Sequence, residues 1–299
     1  MNIIDLSALA APNAVEPLDF ETLFAERKAA LIALYPADQQ AAIAATLALE
    51  SEPMTRHLQE NAYRELILRA RINNAAVANM LAWAAGTDLD NLVANWDVER
   101  LTVQQGDDTA TPPVPTIMES HEALRERALM AWDAMSTAGP RGAYEFWARS
   151  ADGRIIDAKA ISPNPAVAVV TIVSSEGDGT ASAELIASAT TACSDEDRLP
   201  VADRLTVQTA TILPYTITAK LHMDLTGAEA ELALTAAREA LGTWVNPRKR
   251  IGVRIARSGI DAVLHVPGVS WVELVGWDDI IPTDTQAAYC TGYTVEVAA

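Results

Sequence analysis

The residues in this chain able to do chemistry are few, and their spacing does not group them. Its four histidines, His57, His121, His222 and His265, fall in no His-x-His or His-x-x-x-His pattern, so no metal-ligand set is implied. The densest carboxylates are Asp195-Glu196-Asp197 and Asp278-Asp279. Paired carboxylates can hold a hard cation or act as acid and base, but no glycine-spaced calcium loop surrounds either group, and solvated turns account for both. Glu176-Gly177-Asp178-Gly179 follows a strand-like run, as a phosphate loop would. It lacks both the Gly-Lys-Ser/Thr ending and the three-glycine dinucleotide fingerprint, which leaves a strand-to-helix turn. No serine lies in a Gly-x-Ser-x-Gly elbow. Cys193 reads as a buried structural thiol. No cofactor is implied.

Two other groups of residues point to contacts with other proteins. Arg248-Lys249-Arg250, with Arg254 and Arg257, is the single basic cluster of an acidic chain. No aromatic residues interleave it, which disfavours nucleic acid. It reads either as a solvated surface or as a docking patch for an acidic face of a neighbouring copy, where charge would set register. Seven tryptophans stand against three phenylalanines. Tryptophan buries a large area and keeps a polar handle, so it is favoured at interfaces. Trp83 and Trp96 are the expected anchors.

The composition sets the frame for these residues. Half of the 299 residues are apolar but only 5% are aromatic, so Ala, Val, Leu and Ile must supply the bulk. Small residues let helices approach closely, which favours bundles and extended interfaces over a deep pocket. A net charge of −18 repels nucleic acid and anionic lipid. The two cysteines, Cys193 and Cys290, imply no disulfide framework. The first residues lack the positive start of a signal peptide and carry Asp5 within the apolar run. No apolar stretch reaches the roughly 18 residues that a bilayer span needs. A soluble protein made in the cytoplasm, with no membrane partner, is expected.

Along the chain, 1–17 reads as an arm. A helix begins near Asp19, with Phe20, Leu23, Phe24, Leu31 and Leu34 on one face, and stops at Pro36. A second helix runs from about Asp38 to Leu49. A third, from Pro53 to Leu81, carries Leu58, Ala62 and Leu66 on one face and arginines on the other. It exceeds what a small domain needs, so Leu58 and Leu66 are expected at a contact with another chain. The polar, proline-rich 104–118 is the expected linker. Ser120 caps a helix over 121–135, and a short helix covers 143–151. From there the period turns to strands, 155–161 and 166–173, then a helix over 181–193 and strands 205–213 and 215–223. A helix over 227–244, a strand at 251–255, a helix over 258–263 and a strand at 269–275 complete the reading. The expected fold is α+β. An N-terminal helical region (1–103) precedes small α/β sandwich modules, a middle α+β domain (119–223) and a C-terminal one (224–299).

Gly86-Thr87-Asp88-Leu89-Asp90-x-Leu92, followed by Val98-Glu99-Arg100, resembles the signature of the baseplate J-like proteins of contractile phage tails. There Gly86 was expected to end a helix and Thr87 or Asp88 to cap the next. Leu18–Pro36 resembles the family's opening helix, and Leu49–Pro53 with Gln59–Leu66 resembles its approach to the signature. Ala138-Gly-Pro-Arg-Gly142, Ile161-Ser-Pro163, Ala202-Asp-Arg204 and Ser258–Val269 follow in the family's order. One departure is Asn164-Pro165-Ala166, where relatives carry Pro-Gly. The resemblance implies a non-enzymatic structural part of a tail baseplate, found in the virion after assembly in the host cytoplasm. It implies a wedge that pairs with another copy of itself, with smaller wedge proteins, with the tail sheath and central hub or spike, and with the tail-fibre attachment protein. It also implies transmission of the contraction trigger. The rival readings are a receptor- or carbohydrate-binding tail protein and a hydrolase built on Asp195–Asp197. The first asks for aromatic-rich loops or β-repeats, and the second for a carboxylate pocket.

Overall fold

The structure is a computed structural model that describes residues 16–136, 139–196, 198–224 and 226–298, with 6, 9, 10 and 12. Most of the expected arm, together with Ala138 of the turn and Asp197 of the acidic group, lies outside the described residues. The chain divides into two compact units, Asn2–Asn95 and Trp96–Ala299.

The first unit is helical. Asp19 starts α1 (Phe20–Ala33) by accepting from the Thr22 amide at 2.8 Å, which satisfies one of the donors a helix start leaves open. The short α2 (Gln40–Leu47) leads to α3 (Pro53–Ala78), whose first-turn proline has no amide to lose. At 26 residues α3 is about 39 Å long. Leu23 and Phe24 of α1, Leu47 of α2, and Leu58 and Ala62 of α3 form the core, with Leu66 packed against it. Glu65 bridges Arg27 of α1 and Arg69 of α3. The signature forms α4 (Gly86–Ala94), with Leu89 and Val93 buried. Gly86 opens this helix rather than closing the one before it, at φ +56, and neither Thr87 nor Asp88 caps it. The left-handed backbone is what requires glycine there.

Among the described residues the second unit holds a two-stranded ribbon and two three-stranded sheets. The expected linker is instead a ribbon, β1 (Thr102–Gln104) paired with β2 (Ile117–Met118), and Asp107 bridges Val114 between them. Proline and polar residues mark a turn as readily as a tether. Helices α5 (His121–Ala134), capped by Ser120, and α6 (Arg141–Ser150) follow. Strands β3 (Ile155–Asn164), β4 (Val167–Ser174) and β5 (Arg204–Thr209) make the first sheet, in the order β3-β4-β5. β3 and β4 are antiparallel, whereas α7 (Ala183–Cys193) carries the chain across to place β5 parallel to β4. This sheet's core contains Val170, Ile172, Leu185, Ala189 and Cys193.

The second sheet has the order β7-β6-β8, from β6 (Thr211–Met223), β7 (Val269–Leu274) and β8 (Gln286–Val297). Here the structure corrects the reading of the strands. Strand 211–223, grouped with the middle domain by its position, pairs among the described residues only with later strands, so the modules meet at Ala210 rather than after 223. Residues 251–255 make two isolated bridges, not a strand. The odd residues of β6 (Tyr215, Ile217, Ala219, Leu221) face Leu234, Leu241, Ile260 and Leu264 of α8 (Ala228–Val245) and α9 (Arg257–Leu264). Its even residues Thr216, Thr218 and Lys220 are exposed, the alternation of a sheet covered on one face.

Candidate assembly interface

Alpha-3 has two apolar faces, and only one was legible. The face carrying Leu58 is buried inside the first unit, and Leu66 lines that same core. On the far side of the helix, Tyr63, Ile67, Leu68 and Ile72 form a second apolar face, each between 47 and 66% exposed. Positions four apart lie side by side on a helix, so Tyr63 stacks over Ile67 and Leu68 over Ile72 in two neighbouring rows. Beside it, Leu66, Ile67, Ala70, Asn74, Ala75 and Ala78 line a groove whose far side reaches Asp88. Its alanines keep the groove shallow enough for a helix to lie close. Asn73, also on α3, is buried and clasps Glu16 by accepting from its amide at 3.1 Å and donating to its carbonyl at 2.9 Å.

Of the two expected tryptophan anchors, Trp83 is exposed. Trp96 belongs to the second unit and packs against the exposed Trp132, ring centroids 6.2 Å apart.

The basic cluster is engaged within its own chain. Arg248 lies over the Trp244 ring, 4.1 Å from its centroid. Arg250 grips Glu126 of α5 with two bonds of 2.9 Å, a bidentate geometry that fixes orientation as well as charge. Glu126 also accepts from Arg149 at 3.0 Å. Lys249 donates to the carbonyls of Ser175, at 3.0 Å, and Gly177, at 3.4 Å. These bonds cross the seam between the two sheets, where Asp157 accepts from the Ile251 amide at 2.8 Å and Lys159 pairs with Asp284 at 2.8 Å. A small apolar cluster of Val173, Ala210, Ile251 and Ala287 fills the rest. Burial alone would raise the Glu126 carboxyl, but the bonds from Arg250 and Arg149 hold it below the usual range. Asp157 is pushed up by burial, and Lys249 down.

A second ion pair was missed. Arg127 and Glu119 are both buried and joined by bonds of 2.8 and 2.7 Å. Arg127 also reaches the Glu99 carbonyl at 2.5 Å, Glu119 accepts from the Leu101 amide at 3.2 Å, and Arg100 donates to the Glu119 carbonyl at 2.6 Å. The Val-Glu-Arg end of the signature is thus sewn onto α5. The available signal was an arginine among the apolar positions Leu124, Ala128 and Ala131 of one helix face, where a charge survives only with a partner.

The residues first considered for catalysis do structural work. Asp279 accepts from the Arg257 amide at 2.8 Å and pairs with Arg254, starting α9. Glu176–Gly179 is a turn closed by Ser174 donating to Gly179, with Asp178 accepting from the Thr180 amide at 2.9 Å. Burial pushes the Cys193 thiol up to about 12, far from a reactive thiolate. His222 stacks on Trp271 at 3.6 Å. Among the described residues no cluster of His, Cys, Asp or Glu could hold a metal ion, and no helix is long and apolar enough to cross a membrane.

Two packed units, an unsatisfied helix face and charges used for internal stitching define an assembly protein. Comparison with known proteins names the assembly. Residues 50–107 match the baseplate J-like N-terminal domain and residues 136–209 the baseplate J-like central domain. The chain is 49% identical over 296 residues to baseplate protein J of Escherichia phage P2, covering 99% of this chain and 98% of that one. A solved chain from the six-fold symmetrised baseplate of the anti-feeding prophage aligns at 16% identity and a TM-score of 0.42, over 60% of this chain and 44% of its own length. The chain belongs to the baseplate J-like family. It is a structural protein of a phage tail baseplate, and so part of a multi-protein assembly in the virion.

Proposed function

We propose that the chain is a wedge component of a contractile tail baseplate and carries no catalytic activity. The exposed row Tyr63, Ile67, Leu68 and Ile72 carries this reading. A helix with one face in its own core and a second row of large side chains in solvent is half of an interface. The row is met by the same helix of a second copy and by a smaller wedge partner, with Trp83 as a further anchor. Leu58 and Leu66 support that face from beneath. The second unit makes the ring contacts, Trp96 and Trp132 among them, toward the sheath, the central hub or spike and the fibre attachment protein. Six-fold closure then falls to the contacts of the second unit, if these are head-to-tail and their rotation closes. Transmission of the contraction trigger then needs one interface with two packings rather than an active site.

Arg248 and Arg250 hold the chain's own fold in this reading, and Lys249, which bonds two carbonyls, keeps a further N–H group for a neighbour. The hydrolase alternative asks for converging carboxylates. The Asp195 carbonyl instead accepts from the Arg198 and Leu199 amides in a turn, as a structural loop does.

The test is mass spectrometry and electron microscopy of purified tails from the source. The wedge reading expects the chain in stoichiometric amount at the baseplate periphery. Its absence from assembled tails would overturn the reading.

A further inference from the structure

The seam between the two sheets encloses a cavity of about 520 Å³, within the range that admits a ligand or a side chain with its flanking backbone. Leu101, Val103, Ile155 and Ile156 supply apolar wall. The charges lining it do not cancel. Glu119 is used by Arg127, and Glu126 is shared by Arg149 and Arg250. Glu122 is 78% exposed and faces Arg125 at 3.6 Å. Against these three carboxylates stand Arg127, Arg149, Arg250 and Lys249, one cation in excess on a chain of net charge −18.

Two side chains in this lining, Lys249 and Arg149, each keep an N–H group that no carboxylate accepts from. An ammonium has three N–H groups, and Lys249 bonds two carbonyls, leaving one group uncommitted. Arg149 is 4% exposed, yet its Nε has no hydrogen-bond partner. A buried donor left unmade is costly, and a carboxylate acceptor removes that cost. Burial depresses the Lys249 ammonium despite the charge of Asp178, and a further carboxylate in contact would favour its charged form.

We propose that this cavity receives the carboxylate of a glutamate or aspartate borne on an extended segment of another baseplate chain, with Lys249 as the anchoring cation. The inference rests on the baseplate reading. A bare anion would satisfy Lys249 but leave the apolar wall open to water, whereas a peptide fills both.

The test titrates isotope-labelled full-length protein with N-acetylglutamate N-methylamide, with the glutamine counterpart, and with sodium acetate at matched ionic strength, read by NMR. Saturable shifts are expected at Lys249, Ser175 and the Arg149 Nε–H with the glutamate compound and not with the glutamine one. Lys249→Gln is expected to weaken binding about ten-fold, the worth of one charge-assisted bond. Amide shifts far from the seam verify that the variant is folded. No saturable shift, or equal binding by Lys249→Gln, overturns the site. Acetate binding as tightly as the glutamate compound marks a small-anion pocket and overturns the peptide assignment. Wild-type chain found in tails together with silent titrations sinks the cavity alone; wild-type chain absent from tails sinks the baseplate reading itself.

Discussion

Glu126 joins α5 to Arg149 on α6 and to Arg250 beyond α8, so its loss frees two partly buried guanidiniums at once. Glu126→Gln is expected to cost about 3 kcal/mol at neutral pH, near the low end for breaking a buried ion pair. The pH dependence follows from the lowered carboxyl. A carboxylate whose folded pKa lies below its unfolded value of 4.5 stabilises fully above that value, and the benefit fades as pH falls through the folded pKa. The gap between wild type and Glu126→Gln in urea unfolding should therefore be constant above pH 4.5 and close below it. Ala166 gives a contrasting case. It occupies a turn position at φ +59, left-handed backbone that costs a residue with a Cβ roughly 1 kcal/mol. Ala166→Gly should raise stability by up to about 1 kcal/mol, less whatever glycine's freer unfolded chain gives back, a rise of at most a few degrees in Tm. A fall in Tm would show that the turn is not strained.

At the scale of elements, the apolar period read α3 correctly as a helix but saw one face where there are two. Leu58 and Ala62 repeat with the arginines between them, and the eye stops there; Tyr63, Ile67, Leu68 and Ile72 lie among those arginines and so looked like a polar side. The two faces separate cleanly by mutation. Leu58→Asp puts a charge in a sealed core and should unfold the helical unit, with tails lost as a consequence. Ile72→Asp touches solvent in the isolated chain, so circular dichroism should be unchanged while tails fail to assemble. Normal tails with Ile72→Asp would remove the helix face from the interface. The strands show the opposite limit. Alternation in 211–223 announces a strand but not its partners, because pairing is settled by long-range packing. Strand β8 was not legible because Ala287 and Ala288 are both buried and the register shifts opposite Tyr215 and Thr216, which breaks the two-residue period. Caps, by contrast, are local chemistry. Ser120 announced α5, and its hydroxyl accepts from the Ala123 amide at 3.2 Å.

For the whole molecule, the division between the units falls inside the signature. The matched N-terminal domain extends to residue 107, yet the compact helical unit ends at Asn95. Residues 98–101 belong to the second unit because the Arg127–Glu119 pair uses their backbone: Arg127 needs the Glu99 carbonyl and Glu119 the Leu101 amide. A boundary placed at the proline-rich stretch would therefore cut through a buried ionic cluster. Two truncated chains distinguish these boundaries. A chain of residues 96–299 keeps every bond of the cluster and should unfold in one cooperative transition. A chain of residues 105–299 loses those two bonds and the one from Arg100, leaving Arg127 and Glu119 with unmet groups in a dry site. Hydrogen bonds to charged groups are worth about 1.5–3 kcal/mol each, so the loss of three should make the shorter chain less stable by roughly 4.5–9 kcal/mol in urea unfolding. Equal midpoints would mean that water replaces the lost backbone partners.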